Sequence, residues 1–112
     1  MKAEDKKIGD ILVVTPIENR FDVSLATDFK SQMADWVSEG NDRILLDLSH
    51  VDFVDSSGLG AILSSLKTLG KDGDLVICCI NDNVKSLFEL TRMYRVLQIF
   101  SSQEEALKAM GK

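Results

Sequence analysis

Apolar residues along this chain fall into two alternating patterns. Short, nearly continuous apolar runs, typical of buried strands, are separated by stretches in which apolar residues recur every three or four positions. The runs predict strands near residues 11–14, 43–48, 75–80 and 96–100. Ile8 and Ile17 flank the first run and suggest a first strand or a hairpin, while Phe53-Val54 extends the second run or adds a short strand.

The spaced patterns predict four helices between and after these strands. Ser24 suits the N-cap of the first helix, because its hydroxyl can accept a hydrogen bond from a free amide of the first turn. The second helix is predicted near 59–70, and the third begins at one of residues 81–83. The fourth begins with Ser102 and Glu105, which have the spacing of a capping box.

Strands that alternate with helices long enough for crossovers indicate an α/β fold with mostly parallel strands. The first strand is the exception, because its pattern is compatible with an antiparallel direction as well. The order of the strands in the sheet stays open.

Length and charge exclude several classes of function. A chain of 112 residues suits one domain, expected over residues 1–112. The formal net charge of −5 repels nucleic-acid backbones and anionic lipid, so we expect no direct nucleic-acid partner and no membrane partner. The apolar runs are too short to span a bilayer, and the charged N-terminus is not followed by a signal-peptide segment. We therefore expect a cytoplasmic protein.

The two cysteines, Cys78 and Cys79, are adjacent in a predicted strand. Neighbours in a strand point to opposite faces, so we expect that these two neither bridge each other nor share a metal. One is expected to be a small core residue and the other to cover a helix contact, in a reducing compartment. The sequence predicts no metal site and no cofactor.

Enzyme motifs are missing from the chain. His50, the only histidine, lies six residues before Ser56, which is an awkward spacing for a catalytic triad, and there is no Gly-x-Ser-x-Gly elbow. Neither a phosphate-binding loop nor a dinucleotide fingerprint is present. We expect that the protein is not an enzyme and that His50 is a surface or turn residue.

The most informative stretch runs from Val51 to Gly60. It places Asp55, Ser56 and Ser57 where a predicted strand ends and a helix begins, which is the sheet edge where binding sites of α/β proteins collect. A phosphate on Ser56 would add about −1.5 to −2 charges there. It would repel a partner that covers this turn, because Asp55 is already acidic. Without further information the same residues also fit a simple helix cap.

Gly58 and Gly60 stand in the predicted second helix, where each costs about 1 kcal/mol relative to alanine. We expect that both allow another backbone to approach closely.

The segment from Asp55 to Gly60, Asp-Ser-Ser-Gly-Leu-Gly, together with the preceding Leu48–Val54, resembles the signature of bacterial STAS domains that act as anti-sigma factor antagonists. Residues 61–63, 80–91 and 104–107 are similar as well, so the resemblance covers nearly the whole chain in order. It implies a single STAS domain whose mostly parallel, mixed sheet of four or five strands is flanked by about four helices.

The resemblance also implies a switch. In this family the serine directly after the aspartate, here Ser56, is phosphorylated by a partner that is both anti-sigma factor and serine protein kinase. The unphosphorylated protein binds that partner and frees a sigma factor for transcription, and a phosphatase restores the unphosphorylated form.

The resemblance assigns further residues to the surface that contacts the partner. It places Asp22, which follows the first strand region, on that surface, together with Asp55, Gly58 and Leu59 of the signature. Ser57 would support the turn and is a less favoured phosphoacceptor.

The chain departs from the family pattern at Glu18-Asn19-Arg20-Phe21-Asp22, where the family usually has Gly-Glu-Leu-Asp or similar. A competing role is therefore kept open: a STAS scaffold or regulatory subunit of a sensory assembly or transport system, without a phospho-switch. A megadalton particle in solution would favour the scaffold, and a monomer or small oligomer the switch.

Overall fold

The computed structural model describes residues 1–111, in which strands and helices alternate as predicted. The strands are β1 (Ala3–Ile8), β2 (Ile11–Pro16), β3 (Arg20–Phe21), β4 (Arg43–Asp47), β5 (Phe53–Val54), β6 (Asp74–Cys78) and β7 (Gln98–Phe100). The helices are α1 (Val23–Ser38), α2 (Ser56–Leu69), α3 (Asp82–Leu90) and α4 (Gln103–Ala109), with a short 3₁₀ turn at Met93–Arg95.

The main sheet has five strands in the order β1-β2-β4-β6-β7. The pairs β2–β4, β4–β6 and β6–β7 are parallel, whereas β1 and β2 form an antiparallel hairpin. The hairpin turn uses Gly9 at a φ of +62°, a conformation that tight hairpins need. The predicted α/β fold with a mostly parallel, mixed sheet is confirmed, and the first strand region proves to be the hairpin.

Residues of the central strands alternate between two cores. Ile44 and Leu46 of β4 belong to the larger core, which also contains buried residues of α1, α2 and α3. Leu45 of β4 and Cys78 of β6 belong to a smaller core with Ala106 of α4. Three helices therefore cover one face of the sheet and α4 covers the other. Within residues 1–111 no helix has both the length and the apolar character that crossing a membrane requires.

The N-cap of α1 is Asp22, so the prediction of Ser24 was wrong. The Asp22 carboxylate accepts a hydrogen bond from the Ser24 amide at 3.2 Å, and Ser24 lies inside the first turn. Both residue types can cap a helix; Asp22 does so because the chain leaves β3 at Phe21 and is still extended at the next position. The cap of α3 is Asn81, whose side chain accepts from the Val84 amide at 3.0 Å.

The last strand and helix follow the predicted order with one difference. Ser102 caps α4 by accepting from the Glu105 amide at 3.1 Å, and the Glu105 carboxylate accepts from the hydroxyls of Ser101 and Ser102. The strand predicted at 96–100 begins only at Gln98. The amides of Val96 and Leu97 donate to the Met93 carbonyl, which keeps these two residues in the preceding turn.

The prediction that the two cysteines point to opposite faces was wrong. Cys78 ends β6 as a buried core residue, but Cys79 adopts a left-handed conformation with a φ of +66°. Strand alternation stops there, and Cys79 packs with Cys78 against the smaller core. Their sulfur atoms and a carboxylate oxygen of Asp47 all lie within 4.8 Å of one another.

Candidate functional site

Two short strands outside the main sheet bring the starts of α1 and α2 together. β3 and β5 pair in parallel, with Phe21 opposite Val54. The next residue on each strand, Asp22 and Asp55, is the N-cap of the helix that follows. The amide of Asp55 also donates to the Phe21 carbonyl at 3.3 Å. Two helix N-termini, each with an aspartate, therefore lie next to each other.

Asp55 fixes the first turn of α2. Its backbone is extended, and its carboxylate accepts a hydrogen bond from the Gly58 amide at 3.0 Å. Its carbonyl accepts from the Leu59 amide at 3.0 Å. The helix therefore begins at Ser56, in the turn where the dipole and the first amides favour negative charge.

The two serines after Asp55 differ in accessibility. Ser56 is exposed, and across the described residues 1–111 its hydroxyl makes no hydrogen bond to the protein. Ser57 is half-buried. Of the two residues, Ser56 is the more accessible to another protein.

Gly58 lies against the backbone of β3. A side chain at this position would collide with the Phe21 carbonyl oxygen and would start 2.9 Å from both the Phe21 ring and Val54 Cγ1. The predicted close approach is therefore confirmed at Gly58. At Gly60 it is wrong, because nothing lies within 4 Å of the position a Cβ would take. Two residues along a helix are a rotation of about 200°, which turns Gly60 toward solvent.

The residues beneath this turn are closely packed. The rings of Phe21 and Phe29 are fully buried and meet edge to face, with centroids 5.2 Å apart. Gly58 is buried, and Leu59 is half-buried against the larger core. Gly58 therefore supports the turn from inside, whereas Leu59 keeps part of its surface exposed, and its place on a partner-binding surface stays a prediction.

An exposed apolar ring and an arginine lie beside the turn. The Arg20 guanidinium stacks over the Phe53 ring, 4.3 Å from its centroid, and Arg20 Nε lies 3.7 Å from an Asp22 carboxylate oxygen. Phe53 is 42% exposed, and Val23, the first residue of α1, is 65% exposed. We call the set Arg20, Asp22, Val23, Phe53 and Ser56 the docking surface. It combines apolar area, an aromatic–arginine pair and a free hydroxyl.

Comparison with known proteins decides the family. A family model described as STAS domain matches residues 2–106. The chain belongs to the STAS domain family.

Several relatives of this STAS domain carry the name anti-sigma factor antagonist. A Bordetella bronchiseptica protein provisionally named anti-sigma factor antagonist BtrV is 28% identical over 110 residues, which cover 97% of this chain and 94% of the relative. The crystal structure of a provisionally named anti-sigma factor antagonist from Thermotoga maritima superposes with a TM-score of 0.90. It is 26% identical, and the match covers 98% of this chain and 95% of that one.

More distant structures share the STAS fold alone. SpoIIAA, a Bacillus cell fate determinant solved in its phosphorylated form, is 15% identical with a TM-score of 0.74, over 97% of this chain and 99% of its own. A sulfate transporter family protein from Wolinella succinogenes is 18% identical with a TM-score of 0.79, over 93% and 88% of the two chains.

The STAS signature and the unusual loop before α1 come together in the structure. Asp22, Asp55 and Ser56 lie where the paired strands β3 and β5 end and α1 and α2 begin, and the next residue, Ser57, is half-buried. The stacking of Arg20 on Phe53 was missed by sequence reasoning. The only signal for it was the departure of this loop from the family pattern, because contact between the two residues depends on the pairing of two two-residue strands.

Proposed function

We propose that this STAS domain is an anti-sigma factor antagonist controlled by phosphorylation of Ser56. With Ser56 unmodified, the docking surface binds an anti-sigma factor that is also a serine protein kinase. Phosphorylation by that partner releases the domain, and a phosphatase restores binding. The domain itself is a regulator without catalytic activity and acts in the cytoplasm. The names of the Bordetella and Thermotoga relatives support the antagonist role.

One observation carries this proposal: Ser56, which stands at the family's phosphoacceptor position, is exposed, and its hydroxyl makes no hydrogen bond within residues 1–111, three positions after the exposed ring of Phe53. Interfaces are enriched in aromatic residues and arginine, and both are present in the Arg20–Phe53 pair. The half-burial of Ser57 favours Ser56 as the acceptor.

A phosphate on Ser56 can weaken binding without unfolding the domain. It would lie at the first turn of α2, where the helix dipole and the free amides stabilise an anion. The carboxylates of Asp22 and Asp55 are the neighbouring caps, so the surface would become more acidic. A partner that covers Phe53 and Val23 would have to remove water from this phosphate, which costs binding energy unless new cationic partners are provided.

The site of modification is tested with the full chain and the kinase partner recovered by it from a cell extract. The two proteins are incubated with ATP, and phosphate is mapped by mass spectrometry. Ser56→Ala should abolish incorporation while it keeps partner binding. Ser57→Ala is the matched control and should be phosphorylated at Ser56 as in the parent chain. Phosphate on Ser57 or on another residue, with Ser56 unmodified, would contradict the proposal.

A scaffold role is distinguished by mass in solution. The switch predicts a monomer or small oligomer that exchanges with its partner. A stable megadalton particle, formed equally by the parent chain and by Ser56→Asp, would favour the scaffold instead.

A further inference from the structure

Three side chains with metal-binding atoms converge at the carboxyl ends of the neighbouring strands β4 and β6, on the face covered by α4: Asp47, Cys78 and Cys79. Asp47 and Cys78 are direct partners in the parallel β4–β6 ladder, so their side chains point to the same face. Cys79 follows at once in the chain and joins them, which places one carboxylate oxygen and two sulfur atoms within 4.8 Å of one another. Asp47 and Cys78 are buried, and Cys79 is half-buried.

The backbone at Cys79 is what makes this convergence possible. In a regular strand Cys79 would point away from Cys78. Its φ of +66° is a conformation that residues with a Cβ rarely adopt, and it turns the thiol back toward Cys78. The Cys79 amide donates to the Phe100 carbonyl at 3.0 Å, which anchors the turn to β7. An unfavourable conformation held in place by its neighbours is a reason to look for a function.

The Asp47 carboxylate is held in a fixed orientation. One oxygen accepts from the Ser49 amide at 2.9 Å, and the other accepts from the Gln103 side-chain amide at 2.6 Å. Each carboxylate oxygen has two lone pairs, so both can still bind another group. Carboxylates that ligate metals are commonly held by such hydrogen bonds.

We propose that Asp47, Cys78 and Cys79 form a binding site for a thiophilic divalent cation of the Zn²⁺ type. Two thiolate sulfurs and a carboxylate oxygen are ligands that Zn²⁺ accepts, and water would complete the tetrahedral shell. Bonds of about 2.0–2.3 Å around a tetrahedral ion space its ligand atoms roughly 3.3–3.8 Å apart. The three ligand atoms, none more than 4.8 Å from another, therefore need to close by at most about 1.5 Å. Each thiol gives its proton to solvent when its sulfur binds the cation.

This site is separate from the docking surface and does not depend on the proposed function. α2 lies on the opposite face of the sheet, in the larger core. A bound cation would link β4 to β6 and, through Gln103, to the first turn of α4. Its expected effect is to stabilise this end of the sheet.

The test uses the full chain without a tag, reduced and freed of metal, with Co²⁺ as a spectroscopic probe for Zn²⁺. We expect one Co²⁺ per chain and a thiolate-to-cobalt charge-transfer band in the near ultraviolet, which Zn²⁺ abolishes by displacement. Zn²⁺ should also raise the melting temperature. Cys79→Gly leaves Cys78 as the one thiolate of the site, so the band should weaken markedly, and Zn²⁺ should bind at least about tenfold more weakly. Because glycine adopts a positive φ readily, this variant keeps the backbone turn and should fold.

Two further variants identify the ligands. Asp47→Asn should weaken Zn²⁺ binding at least about tenfold, whereas Asp72→Asn, which removes an exposed carboxylate from a loop, should leave it unchanged. His50 lines the adjoining surface cavity with Asp47, Glu4 and Asp5. The proposal would be overturned if Co²⁺ bound without a charge-transfer band and if this binding were lost in His50→Gln but retained in Cys79→Gly. Absence of any binding would overturn it as well.

Discussion

The backbone carbonyl oxygen of Phe21 occupies the space into which a side chain at Gly58 would extend. This contact sets how closely α2 approaches β3, and through β3 it sets the position of the docking surface. The glycine of the family signature therefore has a packing role, while the serine two positions before it faces solvent.

The two glycines of α2 should respond in opposite directions to the same substitution. Gly58→Ala forces the helix away from β3, so we expect unfolding free energy to fall by about 1–3 kcal/mol. Gly60→Ala meets open space and gains helix propensity, so stability should rise by about 0.5–1 kcal/mol. Urea denaturation of the two variants and the parent chain measures both changes. Equal changes in the free energy of unfolding would show that the contact with the Phe21 carbonyl does not determine how closely α2 packs against β3.

The cap at Asp55 should contribute measurably to stability. Asp55→Ala removes the acceptor for the Gly58 amide and should cost about 1 kcal/mol. Asp55→Asn keeps an acceptor oxygen at the same place and should remain within a few tenths of a kcal/mol of the parent. The comparison uses denaturant unfolding at one pH. A large loss in the asparagine variant would mean that the charge, and not the hydrogen bond, stabilises the turn.

Alkaline pH should destabilise the fold in part through Cys78. Burial, together with the neighbouring Cys79 and Asp47, raises the pKa of this thiol above its ordinary value of 9.0. The unfolded chain therefore loses the proton first as the pH rises. Below pH 9.0 the protonated Cys78 leaves the free energy of unfolding unaffected by pH. Above pH 9.0 the ionisation of this thiol in the unfolded chain lowers the free energy of unfolding by up to about 1.4 kcal/mol per pH unit.

Cys78→Ala removes this contribution, and the one neighbouring thiol whose titration it also alters is Cys79, whose pKa burial raises. Unfolding free energies of reduced, chelator-treated protein between neutral pH and pH 10 should fall less steeply for the variant. Parallel curves would contradict the raised pKa of Cys78 in the folded chain.

Phe53 should be a strong contributor to partner binding if the proposed function is correct. Exposed aromatic residues stacked with arginine are typical of binding hot spots, so Phe53→Ala should weaken binding to the anti-sigma partner at least about tenfold. Val96→Ala is the control, because Val96 is also exposed, at 56%, but lies near β7, away from the turn. Its affinity should stay within about twofold of the parent. Titration calorimetry measures both, and equal losses would place the interface elsewhere.

The layered fold could be predicted because it follows from the apolar pattern. The runs at β2, β4 and β6 are long and nearly continuous, and each helix carries apolar residues at helical spacing. Helix boundaries were less certain where several residues of similar chemistry stand together. Asp22 and Ser24 both suit a cap, and only the path of the chain out of β3 decides between them.

Two features of functional interest could not be predicted from the pattern. β3 and β5 have two residues each, too short to show periodicity, so the pairing of Arg20 with Phe53 depends wholly on tertiary structure. The turn at Cys79 also has no signal, because its left-handed backbone is imposed by the hydrogen bond to β7 and the end of β6. The assignment of Ser56, by contrast, rests on its likeness to the family signature; the structure adds its exposure, and its phosphorylation stays a prediction.

The most direct test of the account compares the affinity of two forms of the full chain for the same anti-sigma partner. One form is unmodified and the other is phosphorylated at Ser56, with Ser38→Asp as a control that adds charge at the far end of α1. We predict that phosphorylation raises the dissociation constant at least about tenfold, because a partner that covers the turn must remove water from the phosphate. Ser38→Asp should leave the dissociation constant unchanged. Equal affinity of the two forms would contradict the switch.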